Sequence, residues 1–382
     1  MIYADNAATT QISDSVFEKM LPFLREQYGN PSSQYSLGAK SKHSVELARK
    51  QVASAIGAEP KEIFFTSGGS ETNNWVLKGV TEKYRNEPVH IIVSAIEHHS
   101  VLNTCHALEK NGVDVTFLAV NSTGEVSPAS VEAAIKPHTK LVSIMLANNE
   151  IGTIQPIAKI GCILKEKGIF FHSDAVQAVG HIPVDVNKLL VDFLTASAHK
   201  FNGAKGTGIL YKRLGLDFLP FVFGGKQECG LRAGTENVAG IVAAGYAIEE
   251  SIIGMNETTK RLHEMVAATI NGVREKIPSV KVNGDAEQRL PGLFNLSFDK
   301  VSGESLMHLL DLKGVCVSTS SACSSGEDEP SHVLLALGLS EKQAKSSIRI
   351  SYGKYNTVED VEAIVRAICE AYEKIMTTLF PV

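Results

Sequence analysis

Two short stretches place an aspartate and a lysine at corresponding points of the chain. Asp174-Ala175-Val176-Gln177 follows the apolar run 168–173, and Ser197-Ala198-His199-Lys200 follows the apolar run 191–196. Such runs read as strands buried on both faces of a sheet. In open α/β sheets ligands bind beyond the carboxyl ends of the strands, so the two side chains can grip opposite ends of one flat ligand. A lysine amine forms a Schiff base with an aldehyde, and an aspartate beside a pyridine nitrogen keeps that nitrogen protonated, so that the ring withdraws electrons. Pyridoxal 5'-phosphate needs both groups. Either residue alone has a plainer reading, Asp174 as a helix cap and Lys200 as a solvated surface charge.

Other predicted strand ends carry suitable partners. The run Glu62 to Thr66 reads as a buried strand and leads into Ser67-Gly68-Gly69-Ser70, which opens a helical pattern through Val80. Paired glycines let the backbone approach a phosphate, and the first free helix amides with the Ser70 hydroxyl point at it, although Ser70 also suits a simple helix cap. No Gly-Lys-Ser/Thr follows, so this is not a Walker loop. Strand 90–94 ends in Glu97-His98-His99, and strand 141–146 ends in Asn148-Asn149-Glu150-Ile151-Gly152. His98 suits stacking on a ring and proton movement near neutral pH. Adjacent residues on a helix diverge by about 100 degrees, which disfavours His98 and His99 as ligands of one metal, and no metal is expected. Asn149 and Gln177 can donate to a ring oxygen, or can cap their helices.

These residues must be held by the elements between them. Strands and helices alternate from about residue 62 to residue 211, which predicts an α/β fold with a mainly parallel sheet and helices on both faces. Helices are expected before it over 13–28 and 37–56, and after it over 237–276 with a break near Gly254. The run Phe218 to Phe223 is too apolar for a solvated loop and predicts burial, including burial at a subunit interface. From residue 280 the pattern changes to strands at 280–282, 293–298, 315–318 and 347–351 with helices 304–312 and 358–376, a smaller α+β unit.

The 382 residues carry 37 basic and 42 acidic side chains, a formal charge of −5, without basic stripes or long apolar runs. Nucleic-acid binding, a membrane span and a secretory signal are therefore not expected, and a cytoplasmic location is. Six cysteines are scattered without a C-x-x-C pair, so neither a zinc site nor a disulfide framework is signalled, and most are expected to be buried small apolar residues. Cys323 differs: among the small and polar residues 320–330 its thiol should be reachable by solvent and by a partner.

Taken together, these stretches resemble the cysteine desulfurases, in the class V aminotransferase branch of fold-type I pyridoxal-phosphate enzymes. Residues 5–10, 29–33, 65–68, 97–98, 148–152, 174 with 177, 197–200, 232–235, 320–323 and 347–349 carry the likeness nearly end to end. It implies a large domain over 15–255 with a mainly parallel, seven-stranded-type sheet, and a small α+β domain formed by 1–14 with 256–382. The resemblance makes Lys200 the Schiff-base lysine, Asp174 the pyridine partner, and Gln177 and Asn149 contacts of the ring hydroxyl side, with His98 stacked on the ring. Gly69, Ser70, Ser197 and His199 would hold the phosphate, joined by Thr235 of a second subunit in a homodimer. Asn30 and Arg349 would clamp the carboxylate of L-cysteine, and Cys323 would take its sulfur as a persulfide for an acceptor protein.

Gly69-Ser70 stands where the family usually has Ala-Thr, and Ala233 where it has Ser. The chain also ends at Val382, soon after its last predicted helix, whereas housekeeping members carry a further tail that helps dock a scaffold protein. Rival readings are a lyase of selenocysteine or cysteine sulfinate, an ordinary aminotransferase, and a non-catalytic sulfur carrier using Cys323 alone.

Overall fold

The computed structural model describes residues 1–319 and 329–379. In chain order its strands are β1 (Ile2–Tyr3), β2 (Ile63–Thr66), β3 (His90–Ser94), β4 (Asp114–Leu118), β5 (Thr139–Ser143), β6 (Phe170–Asp174), β7 (Phe193–Ser197) and β8 (Gly208–Lys212). They continue with β9 (Lys281–Asn283), β10 (Leu293–Ser297), β11 (Val315–Cys316), β12 (Ser318–Thr319) and β13 (Ser347–Ser351).

The apolar runs pair into a seven-stranded sheet of order β2-β8-β7-β6-β5-β3-β4. Its pairs are parallel except for those of β8, which runs antiparallel to both β7 and β2. This is the mixed, mostly parallel α/β arrangement that the alternation of elements predicts. Strands such as β3, β7 and β8 are buried at every position, as strands covered by helices on both faces must be. Fully buried Phe171 and Phe193 fill the layers on the sheet. Helix Val238–Ile253, with nine buried residues, packs against helix Ser36–Ala55.

A second sheet of order β12-β13-β10-β9 is antiparallel. Phe294, Leu296, Ile348 and Ile350 form its core with side chains of helices Met255–Lys276 and Val358–Leu379, in a hydrophobic cluster distinct from that of the large sheet. The first residues of the chain join this part, because β1 pairs with β11.

Several expectations need correction. The strand predicted at 141–146 runs from Thr139 to Ser143, because beyond Ser143 the backbone amide of Met145 is taken by the Glu97 side chain rather than by a neighbouring strand. The strand predicted at 315–318 is split: Val315–Cys316 joins β1, and Ser318–Thr319 joins β13. Of the run 218–223, Phe218 is buried and Phe218 and Phe221 stack on Trp75, while Phe223 stays 82% exposed. Among the described cysteines only Cys105 is buried. Cys162 and Cys229 are exposed, and Cys316 and Cys369 are partly buried, because helical periodicity shows that a face exists and not which neighbour covers it.

Among the described residues no single helix is long and apolar enough to cross a membrane. Helices Val238–Ile253 and Met255–Lys276 pass that test only as a pair bent by 70°.

One glycine sets how closely the sheet approaches the turn after β2. A Cβ on Gly208 would collide with Thr66 Oγ1 and lie 2.6 Å from Gly68 Cα. Gly208→Ala is therefore expected to displace the glycine turn and destabilise the protein by about 1–3 kcal/mol, the usual cost of overpacking, read as a lower denaturant midpoint at unchanged slope.

Candidate active site

The carboxyl ends of β6 and β7 open on a cavity of about 300 Å³. That is the crevice position expected for a ligand of an open α/β sheet. Its lining includes Asp174, Gln177, His98 and Asn149 together with Gly69, Ser70, Ser197 and His199. Lys200 and Arg349 complete the wall. Ten of the thirteen residues singled out from the sequence thus meet in one place. Asn30 and Thr235 are exposed and do not line the cavity, and the Asn30 side chain instead accepts from the Ser32 amide at 2.9 Å. Cys323 lies outside the described residues.

Asp174 ends β6 and is 5% exposed. Its Oδ2 accepts from Asn73 Nδ2 at 2.7 Å and its Oδ1 from the Val176 amide at 3.0 Å, which aims the carboxylate and leaves lone pairs for a further donor. Asn73, on the buried face of helix Gly69–Lys83, also donates to Ser100 Oγ at 2.9 Å. Ser100 in turn holds His98: its backbone amide donates to His98 Nδ1 at 3.1 Å, and its Oγ lies 2.8 Å from the same atom. With Nδ1 accepting, the proton of the neutral ring sits on Nε2. Burial pulls the His98 pKa down, partly countered by Asp174.

Lys200 follows β7 on a single helical turn, and its carbonyl is held at 2.8 Å by His181 Nε2. Its Nζ donates to the carbonyls of Ala7 (2.5 Å) and Ala8 (2.8 Å). Gln177 Nε2 also donates to Ala7, at 2.9 Å, and the Ala7 amide donates to Ser351 Oγ at 2.8 Å. The polar chain start is thereby drawn into the cavity wall.

The glycine turn suits an anion. No described side chain caps helix Gly69–Lys83, and Gly69 and Ser70 of its first turn line the cavity together with Ser197. A Cβ on Gly69 would stand 2.8 Å from Val176 Cγ2, so an alanine here would have to move the Val176 side chain. His199 is anchored through Nδ1 to Thr9 Oγ1 at 3.1 Å, and burial, with Lys200 and Lys205 nearby, pushes its pKa down to about 4. A neutral ring there can donate to or accept from a phosphate.

Arg349, on β13, is 3% exposed and brings the small sheet to the cavity. Its Nη2 donates to Asp5 Oδ1 at 2.7 Å and its Nη1 to the Asn149 carbonyl at 3.0 Å, while its buried Nε has no partner among the described residues. An unsatisfied buried guanidinium N–H is costly, and its natural complement is a carboxylate. The polar groups lining the cavity, the Lys200 amine among them, and the unpartnered Nε of Arg349 therefore fit a flat, phosphorylated pyridine aldehyde with an α-carboxylate beside it. Among the described residues no group of three His, Cys, Asp or Glu side chains gathers to hold a metal.

Residues that sequence reasoning passed over include Asn73, His181 and Glu97. Asn73 carried a signal, since it lies four residues after Gly69 and so on the same face of the helix. The role of Glu97 depends on burial: Ser94 Oγ donates to its Oε1 at 2.5 Å and the Met145 amide at 2.9 Å, while Oε2 is buried without a partner among the described residues.

These features define a fold-type I pyridoxal-phosphate scaffold, an architecture shared with a NifS-like protein of known structure that superposes with a TM-score of 0.92 at 40% identity, covering 98% of this chain and 99% of that one. The chain belongs to the class-V aminotransferase family, whose model matches residues 2–364. Within that family it is similar to proteins named cysteine desulfurase IscS. The one from Methanosarcina thermophila is 49% identical over 382 residues, 100% of this chain and 94% of the relative. The one from Clostridium botulinum strain Hall is 48% identical over 369 residues, 96% of this chain and 93% of the relative. A structure described as SspA in complex with cysteine aligns at a TM-score of 0.84 and 36% identity, covering 94% of this chain and 100% of that one.

Burial of Glu97 pushes its pKa up to about 8, far above the ordinary carboxylate value. The folded state therefore keeps a proton that the unfolded chain has lost, and this stabilisation is present below about pH 4.5 and disappears as pH rises through about 8. Glu97→Gln, which stays neutral, is expected to gain on the parent protein by a few degrees in Tm between pH 6 and pH 9, as measured by thermal unfolding across that range.

Proposed function

We propose that this protein is a pyridoxal-phosphate-dependent cysteine desulfurase that converts L-cysteine to L-alanine and passes the sulfur to an acceptor through a persulfide on Cys323. The observation that carries the reading is the Lys200 amine and the Asp174 carboxylate facing one cavity from the ends of adjacent strands β7 and β6. The relatives named cysteine desulfurase, alike across nearly the whole chain, support the choice of reaction within the family.

Asp174 would receive the ring nitrogen, Gly69, Ser70, Ser197 and His199 the phosphate, Asn149 and Gln177 the ring hydroxyl side, and Lys200 the aldehyde carbon. When bound, the cofactor supplies an electron sink that makes the α proton of an amino acid removable. The protein's own residues do the rest. Arg349 fixes the substrate carboxylate, starting from its unpartnered Nε. Lys200, set by the Ala7 and Ala8 carbonyls, takes the α proton at Nζ, and His98 exchanges protons only at Nε2 because Ser100 occupies Nδ1. Cys323, as thiolate, forms an S–S bond to the substrate sulfur while the carbon–sulfur bond breaks. That electron pair stays on carbon, which takes up a proton as alanine forms.

We further propose a cytoplasmic homodimer in which Thr235 reaches the phosphate of the partner subunit. Asn30 stands beside Arg349 in this reading only in the assembled enzyme. A sulfur-acceptor protein serving iron–sulfur cluster or thio-cofactor assembly would receive the persulfide. The division into a large domain, 15–255, and a small one, 1–14 with 256–382, is supported by the cluster of residues 262–371 with Ala4, while Ala7, Leu290 and Leu293 pack into the cluster of the large sheet.

Incubation with L-cysteine, with alanine and protein-bound persulfide measured together, tests the proposal. Lys200→Ala is expected to give colourless protein that forms neither product. Cys323→Ala should stay yellow and lose desulfurisation by about 10³-fold or more, the scale of removing a catalytic nucleophile. Sulfur handling unchanged in Lys200→Ala would instead favour the carrier.

A further inference from the structure

The guanidinium of Arg349 already holds a carboxylate. Asp5 Oδ1 accepts from Nη2 at 2.7 Å, and Nε, on the same edge of the fork, is buried with no partner among the described residues. A carboxylate binds this edge best through two parallel N–H bonds, one from Nε and one from Nη2. The opposite nitrogen is committed to the Asn149 carbonyl at 3.0 Å. An incoming carboxylate can therefore take Nε directly and must contend with Asp5 for Nη2.

Asp5 cannot withdraw with its backbone. The Ser351 amide donates to the Ala4 carbonyl at 2.8 Å, the Asn6 amide to the Ser351 carbonyl at 3.1 Å, and the Tyr3 hydroxyl to the Asp5 carbonyl at 3.0 Å. The main chain on both sides is thus stapled to β13, and only rotation of the Asp5 side chain clears the edge. Glu150, the other carboxyl that acts on Arg349, does so at longer range: its own Oε2 accepts from Ser331 Oγ at 2.5 Å. Asp5 is 17% exposed at its side chain and Arg349 3%, so the pair is weakly screened.

We infer that Asp5 is a specificity-determining residue for the carboxylate of the substrate: its carboxylate occupies part of the Arg349 edge that the substrate needs, and the two compete. The inference rests on the reading of Arg349 as the carboxylate clamp. Asp5 orients the fork while the site is empty of substrate, and its negative charge lowers the affinity for every carboxylate ligand. Two carboxylates on one guanidinium edge repel, and that repulsion ends only when Asp5 turns away.

The test is a titration of the holoenzyme with L-alanine and with ethylamine, which is alanine without its carboxylate, followed by the absorbance of the bound cofactor. Asp5→Asn keeps an acceptor for Nη2 and removes the charge. It is expected to bind L-alanine about tenfold or more tightly than the parent, the change expected of a like charge removed from a partly screened site, with ethylamine binding unchanged. Unchanged or weaker L-alanine binding in Asp5→Asn overturns the inference, and so does a parallel loss of both ligands, which would mark Asp5 as a support of the fold alone. Arg349→Gln separates the two levels. If it weakens L-alanine and spares ethylamine while Asp5→Asn fails to tighten, only the competition falls. If it leaves L-alanine unchanged, the clamp reading falls and the inference with it.

Discussion

A carboxyl group at the end of a strand with no water on either face has to be held by its own protein, and Asp174 is held by two donors from two different elements. Asn73 reaches it from the helix after the glycine turn, and the Val176 amide from the turn that follows it. Because Asn73 also binds Ser100, and Ser100 binds His98, the aim of the carboxylate and the plane of the imidazole are set by one chain of hydrogen bonds. Asn73 Oδ1 is buried with no partner among the described residues, but the donors of this network are all engaged and restrain the groups that must face the two sides of a ring.

The other end of the machinery is joined through the turn 148–151. Asn148 pins that turn with its own side chain, accepting from the Glu150 and Ile151 amides and donating to the Ile96 carbonyl. The same turn gives its Asn149 carbonyl to Arg349 and its Glu150 carboxyl to Ser331. Four separate segments therefore meet at four residues, and the two hydrophobic clusters are tied together beside the cavity rather than far from it. Chemistry at the cavity and placement of the segment that returns at Ser331 share one support.

Burial also decides which groups carry charge. His172, fully buried, is pushed down to about 3, and His332 to about 4, so both are neutral hydrogen-bonding rings near pH 7. Glu97 and Glu150 are pushed the opposite way, to about 8 and about 7, by the same loss of water. The protein behind the cavity wall is thus less charged than its composition suggests, and the charged side chains of the lining itself are Lys200, Asp174 and Arg349, the last paired with Asp5.

Much of this was legible in the chain itself. Apolar runs followed by polar residues marked the strand ends, since buried strands must shed polarity until they reach the crevice, and ten of the singled-out side chains do converge there. Gly69 and Ser70 could be placed at an anion site because a glycine turn opening a helix offers bare amides whatever surrounds it. What no linear pattern contained was the company each group keeps. Asn73 looked like one more polar helix residue, Glu97 like a neighbour of the histidines, and Asp5 like part of a polar start. Their roles come from contacts across more than a hundred residues in the cases of Asp174 with Asn73 and of Arg349 with Asp5. Local periodicity and residue chemistry act over a few positions and so determined the elements and their ends; the choice of partner, and with it burial, neutrality and competition for one guanidinium, was decided only when folding brought distant segments within hydrogen-bonding reach.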